Sequence, residues 1–162
     1  MAASADQCTR YFGVTAVTNE AAHHAVMATR AHSSGQPQSA AVRPAVAVVD
    51  DDESVRESLP DLLRGLGFDA MAFASADEFL LSDNIDRVKC LLLDVCMPGM
   101  SGPELQQQLV SRGVQVPIIF ISARADANVR ETLMERGAVA FLSKPFSELE
   151  LRRAIDVALR QS

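Results

Sequence analysis

Lysine is nearly absent from this 162-residue chain: Lys89 and Lys144 stand against 13 arginines. A composition that prefers the planar guanidinium so strongly still places a compact ammonium directly before Pro145. Such a point charge suits a single contact to phosphate in a tight pocket. Cysteine is scarce too. Cys8, Cys90 and Cys96 have no disulfide or metal-ligand spacing, so they read as reduced thiols. No apolar run approaches the ~20 residues of a membrane-spanning helix. The N-terminus has no apolar stretch resembling a signal peptide. The expected compartment is the cytoplasm, with no membrane association. Basic charge is short as well. Residues 1–44 hold two acids and three bases, and residues 45–162 hold 19 acids against 12 bases, a net −7. That balance argues against direct nucleic-acid binding by the domain and suits a compact module with an acidic pocket.

Residues 1–44 are rich in Ala, Ser, Thr and Gln and carry all three histidines, His23, His24 and His32. Ser33-Ser34-Gly35-Gln36-Pro37-Gln38-Ser39 reads as flexible linker. With no periodic apolar face, the segment is expected to be a disordered tail, with a transient helix from Asn19 to Arg30. Met27 offers an alternative start. The His23-His24 pair has no further ligands near it and reads as solvated.

From residue 45 the pattern becomes regular. Apolar runs predict strands at about 45–50, 68–73, 89–94, 117–121 and 139–142. Helices are predicted at about 54–65, from Val55, Leu59, Leu62, Leu63 and Leu66, with Ser54 as cap, and at Ser75 to Ser82, opened by a Ser75-Glu78 capping box. Three more are predicted at about 101–112, with Leu105, Leu109 and Val110 inward, at 126–136, and at 147–160, with Leu149, Leu151, Ile155, Val157 and Leu159 apolar. Near-continuous apolar strands alternating with helices imply a doubly wound parallel α/β sheet of five strands and five helices over residues 45–162.

Four of these strands deliver polar groups at their C-terminal ends, where open parallel sheets bind ligands. They are Asp50-Asp51-Asp52-Glu53, Asp94, Ser122 and Ser143-Lys144-Pro145. Crowded carboxylates favour a divalent cation, and Mg²⁺ takes oxygen ligands. A carboxylate oxygen of Asp94 can attack phosphorus while Ser122 and Lys144 contact phosphoryl oxygens. Alignment and charge neutralisation are what phosphoryl transfer needs. Asp52 and Glu53 read as helix N-terminal acids. Gly99-Met100-Ser101-Gly102 reads as a loop in which glycine frees the backbone.

These segments resemble a known family. Val48-Val49-Asp50-Asp51, Leu93-Asp94-Val95-Cys96-Met97-Pro98-Gly99-Met100-Ser101-Gly102, Ile121-Ser122-Ala123 and Phe141-Leu142-Ser143-Lys144-Pro145-Phe146 occur in the order seen in response-regulator receiver domains of two-component signalling. Asp52-Glu53-Ser54-Val55-Arg56-Glu57-Ser58-Leu59 is similar to receivers of nitrogen-fixation-type regulators. The resemblance implies a flavodoxin-like sheet of order 2-1-3-4-5. It implies a phosphoprotein switch that accepts a phosphoryl group from a sensor histidine kinase on Asp94. Asp51 would ligate Mg²⁺ directly, Asp50 mainly through water, with Asp94 and the Cys96 carbonyl completing the set. Ser122 would swing towards the phosphoryl group, Phe141 would turn inward, Lys144 would bridge a phosphoryl oxygen, and the Lys144–Pro145 bond would be cis. Such a protein is not an enzyme in the ordinary sense; it catalyses its own phosphoryl transfer and dephosphorylation.

Receivers of this group usually carry a C-terminal DNA-binding module, and the last predicted helix ends near Arg160. Output is therefore expected through protein contacts or self-dimerisation, on a face of helix 4, strand 5 and helix 5 that includes Arg124, Arg130, Phe141, Arg152 and Arg153. Two other readings remain. One is a docking receiver that works without phosphorylation, against which the full set of Asp50, Asp51, Asp94, Ser122 and Lys144 argues. The other is an aspartate phosphatase of the haloacid dehalogenase type. That chemistry needs a second Asp two residues after the nucleophile, where this chain has Cys96.

Overall fold

A computed structural model describes residues 42–124 and 127–161. Most of the expected tail, including its histidines and Cys8, lies outside the described residues. Five strands form one parallel sheet: β1 (Ala45–Val49), β2 (Asp69–Phe73), β3 (Val88–Asp94), β4 (Ile118–Ser122) and β5 (Ala140–Ser143). Their order is β2-β1-β3-β4-β5, as the resemblance implies. The helices are α1 (Glu53–Gly65), α2 (Ala76–Leu80), α3 (Gly102–Ser111), α4 (Ala127–Glu135) and α5 (Glu148–Leu159). A short 3-10 turn at Ile85–Arg87 leads into β3 and has no counterpart in the sequence reading.

The strands alternate their side chains between two faces with period two. Val46, Val48, Leu92, Ile119 and Ile121 meet α1 and α5 through Val55, Leu59, Leu63, Leu151 and Ile155. Ala47, Val49, Leu91, Leu93 and Phe120 meet α2, α3 and α4 through Phe79, Leu105, Leu109 and Leu133. Both faces are covered, which is why the central strands read as unbroken apolar runs rather than alternating ones. Burying a side chain such as Leu59 contributes about 2 kcal/mol. Helix α4 buries Leu133 alone, so it is the helix most lightly tied to the sheet.

Several local expectations are corrected. Asp52 caps α1, accepting from the backbone N–H of Ser54 at 2.9 Å and its hydroxyl at 2.7 Å. Ser54 is thus the second residue of the helix. Val110 is 70% exposed, as are Leu149 at 56% and Val157 at 45%; the inward positions of α5 are Leu151, Ala154, Ile155 and Ala158. The α2 box is half formed: Ser75 caps Glu78, while the Glu78 carboxylate reaches the N–H of Ala74. A complete box stands at α5, between Ser147 and Glu150.

Gly102 shows how tightly α3 approaches β3. A β-carbon there would fall inside contact distance of the Asp94 carbonyl oxygen and against the Phe120 ring. Its own N–H donates to the Val95 carbonyl at 3.2 Å. Backbone cannot yield as a flexible side chain does. Gly102→Ala is therefore expected to lower the unfolding free energy by about 2 kcal/mol. Gly65→Ala, in a helix with open space around it, should be neutral or slightly stabilising. Urea titration of both variants checks the pair; equal effects would contradict the packing described.

Candidate functional site

Each polar group expected at a strand end is there. Asp50 follows β1, Asp94 ends β3, Ser122 ends β4, and Lys144 follows β5. Asp50 is 1% exposed and Asp94 7%. The ammonium of Lys144 stands between them, donating to Asp50 Oδ2 at 2.7 Å and to Asp94 Oδ1 at 3.2 Å. The remaining carboxylate oxygens are held by main chain. Asp50 Oδ1 accepts from Asp52 N–H at 3.0 Å, and Asp94 Oδ2 accepts from Cys96 N–H at 2.8 Å. The Lys144–Pro145 peptide is cis.

Burial governs the electrostatics. It pushes the Asp94 carboxyl up to about 6; Lys144 lowers it less than burial raises it, and the neighbouring Asp50 raises it further. Burial likewise raises Asp50 above the ordinary carboxylate range, with Lys144 only partly offsetting it. Burial depresses the Lys144 ammonium, yet the two carboxylates together hold it above its ordinary value. The pocket is thus short of positive charge.

The other residues are placed less closely. Asp51 is exposed beside Asp50, and Cys96 is exposed beside Asp94. Ser122 is buried, and its hydroxyl is engaged by the β4–α4 loop: it donates to the Arg124 carbonyl at 3.0 Å and accepts from Arg124 N–H at 3.1 Å. Its carbonyl accepts from Lys144 N–H at 2.8 Å, which ties the ends of β4 and β5 together. Phe141 is 7% exposed and belongs to the core. Its expected place on an open output face is therefore corrected: the ring is already inward while Ser122 is turned to its own loop. Arg124, Arg130, Arg152 and Arg153 are exposed. Cys90 is buried, and its thiol is pushed up to about 12, which keeps it protonated.

The oxygen donors fit a hard divalent cation. Asp50, Asp51 and Asp94 offer three carboxylates against one ammonium, and burial raises the Asp50 and Asp94 carboxyls despite Lys144. Among the described residues no group of three or more His, Cys, Asp or Glu side chains is gathered to hold a metal unaided. The geometry gives the reason: Lys144 stands between two of the acids and the third is exposed. Sequence reasoning missed Arg56, whose guanidinium donates to the Asp50 carbonyl at 3.0 Å. The available signal was a cation in the first turn of a helix, against the macrodipole.

Fold and site together define a doubly wound α/β module centred on a buried aspartate pair and a lysine. Residues 46–156 match the family model described as the response regulator receiver domain, and the chain belongs to that family. It is similar to Nodulation protein W of Bradyrhizobium diazoefficiens, 44% identical over 119 residues, covering 74% of this chain and 52% of that protein. It is 38% identical over 118 residues to the transcriptional regulatory protein FixJ of Azorhizobium caulinodans, covering 72% of this chain and 56% of that one. The solved structure of the response regulator StyR superposes with a TM-score of 0.68 at 46% identity, over 74% of this chain and 60% of that one. The chain spans about half the length of the curated relatives it matches.

The Asp94 shift has a sign that can be tested. A carboxyl raised on folding binds its proton more readily in the folded state. Its contribution is most favourable below the unfolded value of 3.8 and is lost as pH rises through about 6. Asparagine copies the neutral form at every pH. In Mg²⁺-free buffer Asp94→Asn should be more stable than the parent at pH 7.5, by as much as about 3 kcal/mol. The advantage should shrink steadily towards pH 4. Denaturant unfolding across that range measures it, and a pH-independent difference would contradict the assignment.

Proposed function

We propose that this chain is a phosphorylation-driven signalling switch whose acceptor is Asp94, with a sensor histidine kinase as donor and Mg²⁺ as cofactor. Phosphorylation-dependent switching is the general function of response-regulator receiver domains, and these are not enzymes in the ordinary sense. The observation that carries the residue assignment is the Lys144 ammonium shared between Asp50 and Asp94 at the C-terminal edge of the sheet. An acceptor carboxylate and a cation for the incoming charge are thereby held in one place before any phosphoryl group arrives.

In the proposed reaction an Asp94 carboxylate oxygen forms a bond to phosphorus as the phosphorus–nitrogen bond of the kinase phosphohistidine breaks. The electron pair leaves on the imidazole, which takes a proton. Cys96 N–H holds Asp94 Oδ2 at 2.8 Å, and Oδ1, in the longer 3.2 Å contact with Lys144, is the oxygen proposed to react once Lys144 turns to the phosphoryl group. Lys144 pairs with a phosphoryl oxygen. Asp50, Asp51, Asp94 and the Cys96 carbonyl would hold Mg²⁺, which supplies alignment and charge neutralisation when bound. In self-catalysed dephosphorylation water would attack the phosphorus, the bond from Asp94 to phosphorus would break, and inorganic phosphate would leave with the Asp94 carboxylate restored.

The proposed switch begins at Ser122. A phosphoryl group adds strong acceptors, and the Ser122 hydroxyl gains a charge-assisted bond by leaving Arg124. Phe141 is already inward, so phosphorylation would fix that position rather than create it. Lightly held α4 is the element that such a change can shift, with β5 and α5 completing the output face. A partner protein or a second copy would read that face. We place the chain in the cytoplasm, where such kinases present their donor domains; no described helix is long and apolar enough to cross a membrane. The switching unit is proposed to begin at residue 45, with residues 1–44 dispensable.

Acetyl phosphate with Mg²⁺ should add one acid-labile phosphoryl group, measured by intact-mass spectrometry. Asp94→Asn should abolish it, since an amide is a far weaker nucleophile; full labelling would sink the assignment and leave phosphorylation-independent docking as the better reading. Asp51→Ala should weaken Mg²⁺ binding much more than Asp52→Ala, whose side chain caps α1. Ser122→Ala should still label, yet amide NMR of α4 and β5 with beryllofluoride should lose the parent's shifts. Retention of the full pattern would show that coupling bypasses Ser122.

A further inference from the structure

We propose that Arg56 is a positioning residue for divalent-cation binding: its guanidinium fixes the Asp50–Asp51 peptide and so sets the direction in which Asp51 presents its carboxylate. This rests on the cation-assisted reading of the site given above. Asp51 is an exposed side chain that makes no hydrogen bond or ion pair among the described residues, so its direction is set by the two peptides that flank it. The peptide after it is held through Asp52 N–H, which donates to Asp50 Oδ1 at 3.0 Å. The peptide before it is held through the Asp50 carbonyl, which accepts from Arg56 Nη1 at 3.0 Å. Together these bonds restrain both backbone torsions of Asp51.

The strand cannot do this instead. The β1 pairings with β2 and β3 end at Val49. Asp50 retains a strand-like bond on its amide side, to the Phe73 carbonyl at 3.2 Å. Its carbonyl lies past the last paired residue, and Arg56 supplies a partner there. Arg56 also sits where a helix disfavours it. Helix α1 starts at Glu53, and the Arg56 N–H closes the first turn onto the Asp52 carbonyl at 3.1 Å. The positive end of the macrodipole favours acids there, as Asp52 and Glu53 satisfy. A residue that breaks a local rule beside a site marks a gain elsewhere. The gain here is a second layer of support, of the kind that orients metal ligands.

Isothermal titration of the metal-free, unphosphorylated full chain with MgCl₂ tests the proposal. Arg56→Met keeps the aliphatic stem and removes the donors; its dissociation constant should rise roughly tenfold. Arg56→Lys keeps a charge and one kind of donor and should recover part of the loss. In acetyl phosphate labelling, the Mg²⁺ concentration for half-maximal rate should rise by the same factor. The rate at saturating Mg²⁺ should stay within about twofold of the parent, a split that a general loss of structure would not give. The ¹³C resonance of the Asp50 carbonyl should move in Arg56→Met without any metal. Affinities within about twofold of the parent for both variants would overturn the proposal, as would a fall in saturated rate with unchanged Mg²⁺ dependence. Should Arg56→Met fail to fold, Arg56→Lys decides by the same criterion. A parent chain that labels without Mg²⁺ would overturn the cation reading itself, which a variant-only result would not.

Discussion

Two carboxylates buried side by side depend on one ammonium. Asp50 and Asp94 are almost wholly withdrawn from water, and Lys144 bridges them from a strand end 94 and 50 residues away in the chain. Remove the lysine and two buried acids face each other without a cation; an uncompensated buried charge is strongly destabilising. The order β2-β1-β3-β4-β5 sets β1, β3 and β4 side by side and β5 next to β4, so the sheet delivers all the partners to one edge. Close approach of α3 at Gly102 and the bond from Lys144 N–H to the Ser122 carbonyl hold that edge in register.

The same arrangement leaves the site incomplete in charge. Lys144 does not bring Asp94 back to the ordinary carboxylate range. An added divalent cation and an added phosphoryl group therefore act on an imbalance already present, and each alters what Lys144 is attracted to. Ser122 is the next group in line, with its hydroxyl satisfied by the Arg124 main chain and its carbonyl bonded to Lys144 N–H. Beyond it, α4 rests on Leu133, whereas α1 buries Val55, Leu59 and Leu63. At about 2 kcal/mol for each such side chain, α4 is the cheapest helix to displace.

Much of this was legible in the sequence, for physical reasons that differ by residue. The strand-end acids could be located because central parallel strands are apolar throughout, so the first polar residue marks the edge of the sheet. Asp50 and Ser122 fell where that rule puts them; β3 carries the exposed Lys89 before its apolar run to Asp94, and Lys144 comes one residue after Ser143. Helix faces were less legible. Val110, Leu149 and Val157 are apolar and at plausible spacings, yet they point outward, because alanine and glutamine take inward positions at Ala154, Ala158 and Gln106. The α1 cap went to Asp52 rather than Ser54 because both side chains suit the role and the strand length decides between them. The inward ring of Phe141 and the bond from Arg56 to the Asp50 carbonyl are tertiary choices that no local pattern encodes.

The account turns on Asp94 being a buried acid whose charge Lys144 only partly compensates. Carboxyl ¹³C NMR titration of Asp94, with and without Mg²⁺, reads this directly. Metal-free protein should show Asp94 titrating near pH 6, and saturating Mg²⁺ should move that midpoint well down. An Asp94 carboxyl that titrates in the ordinary carboxylate range without metal, and does not respond to Mg²⁺, would contradict it.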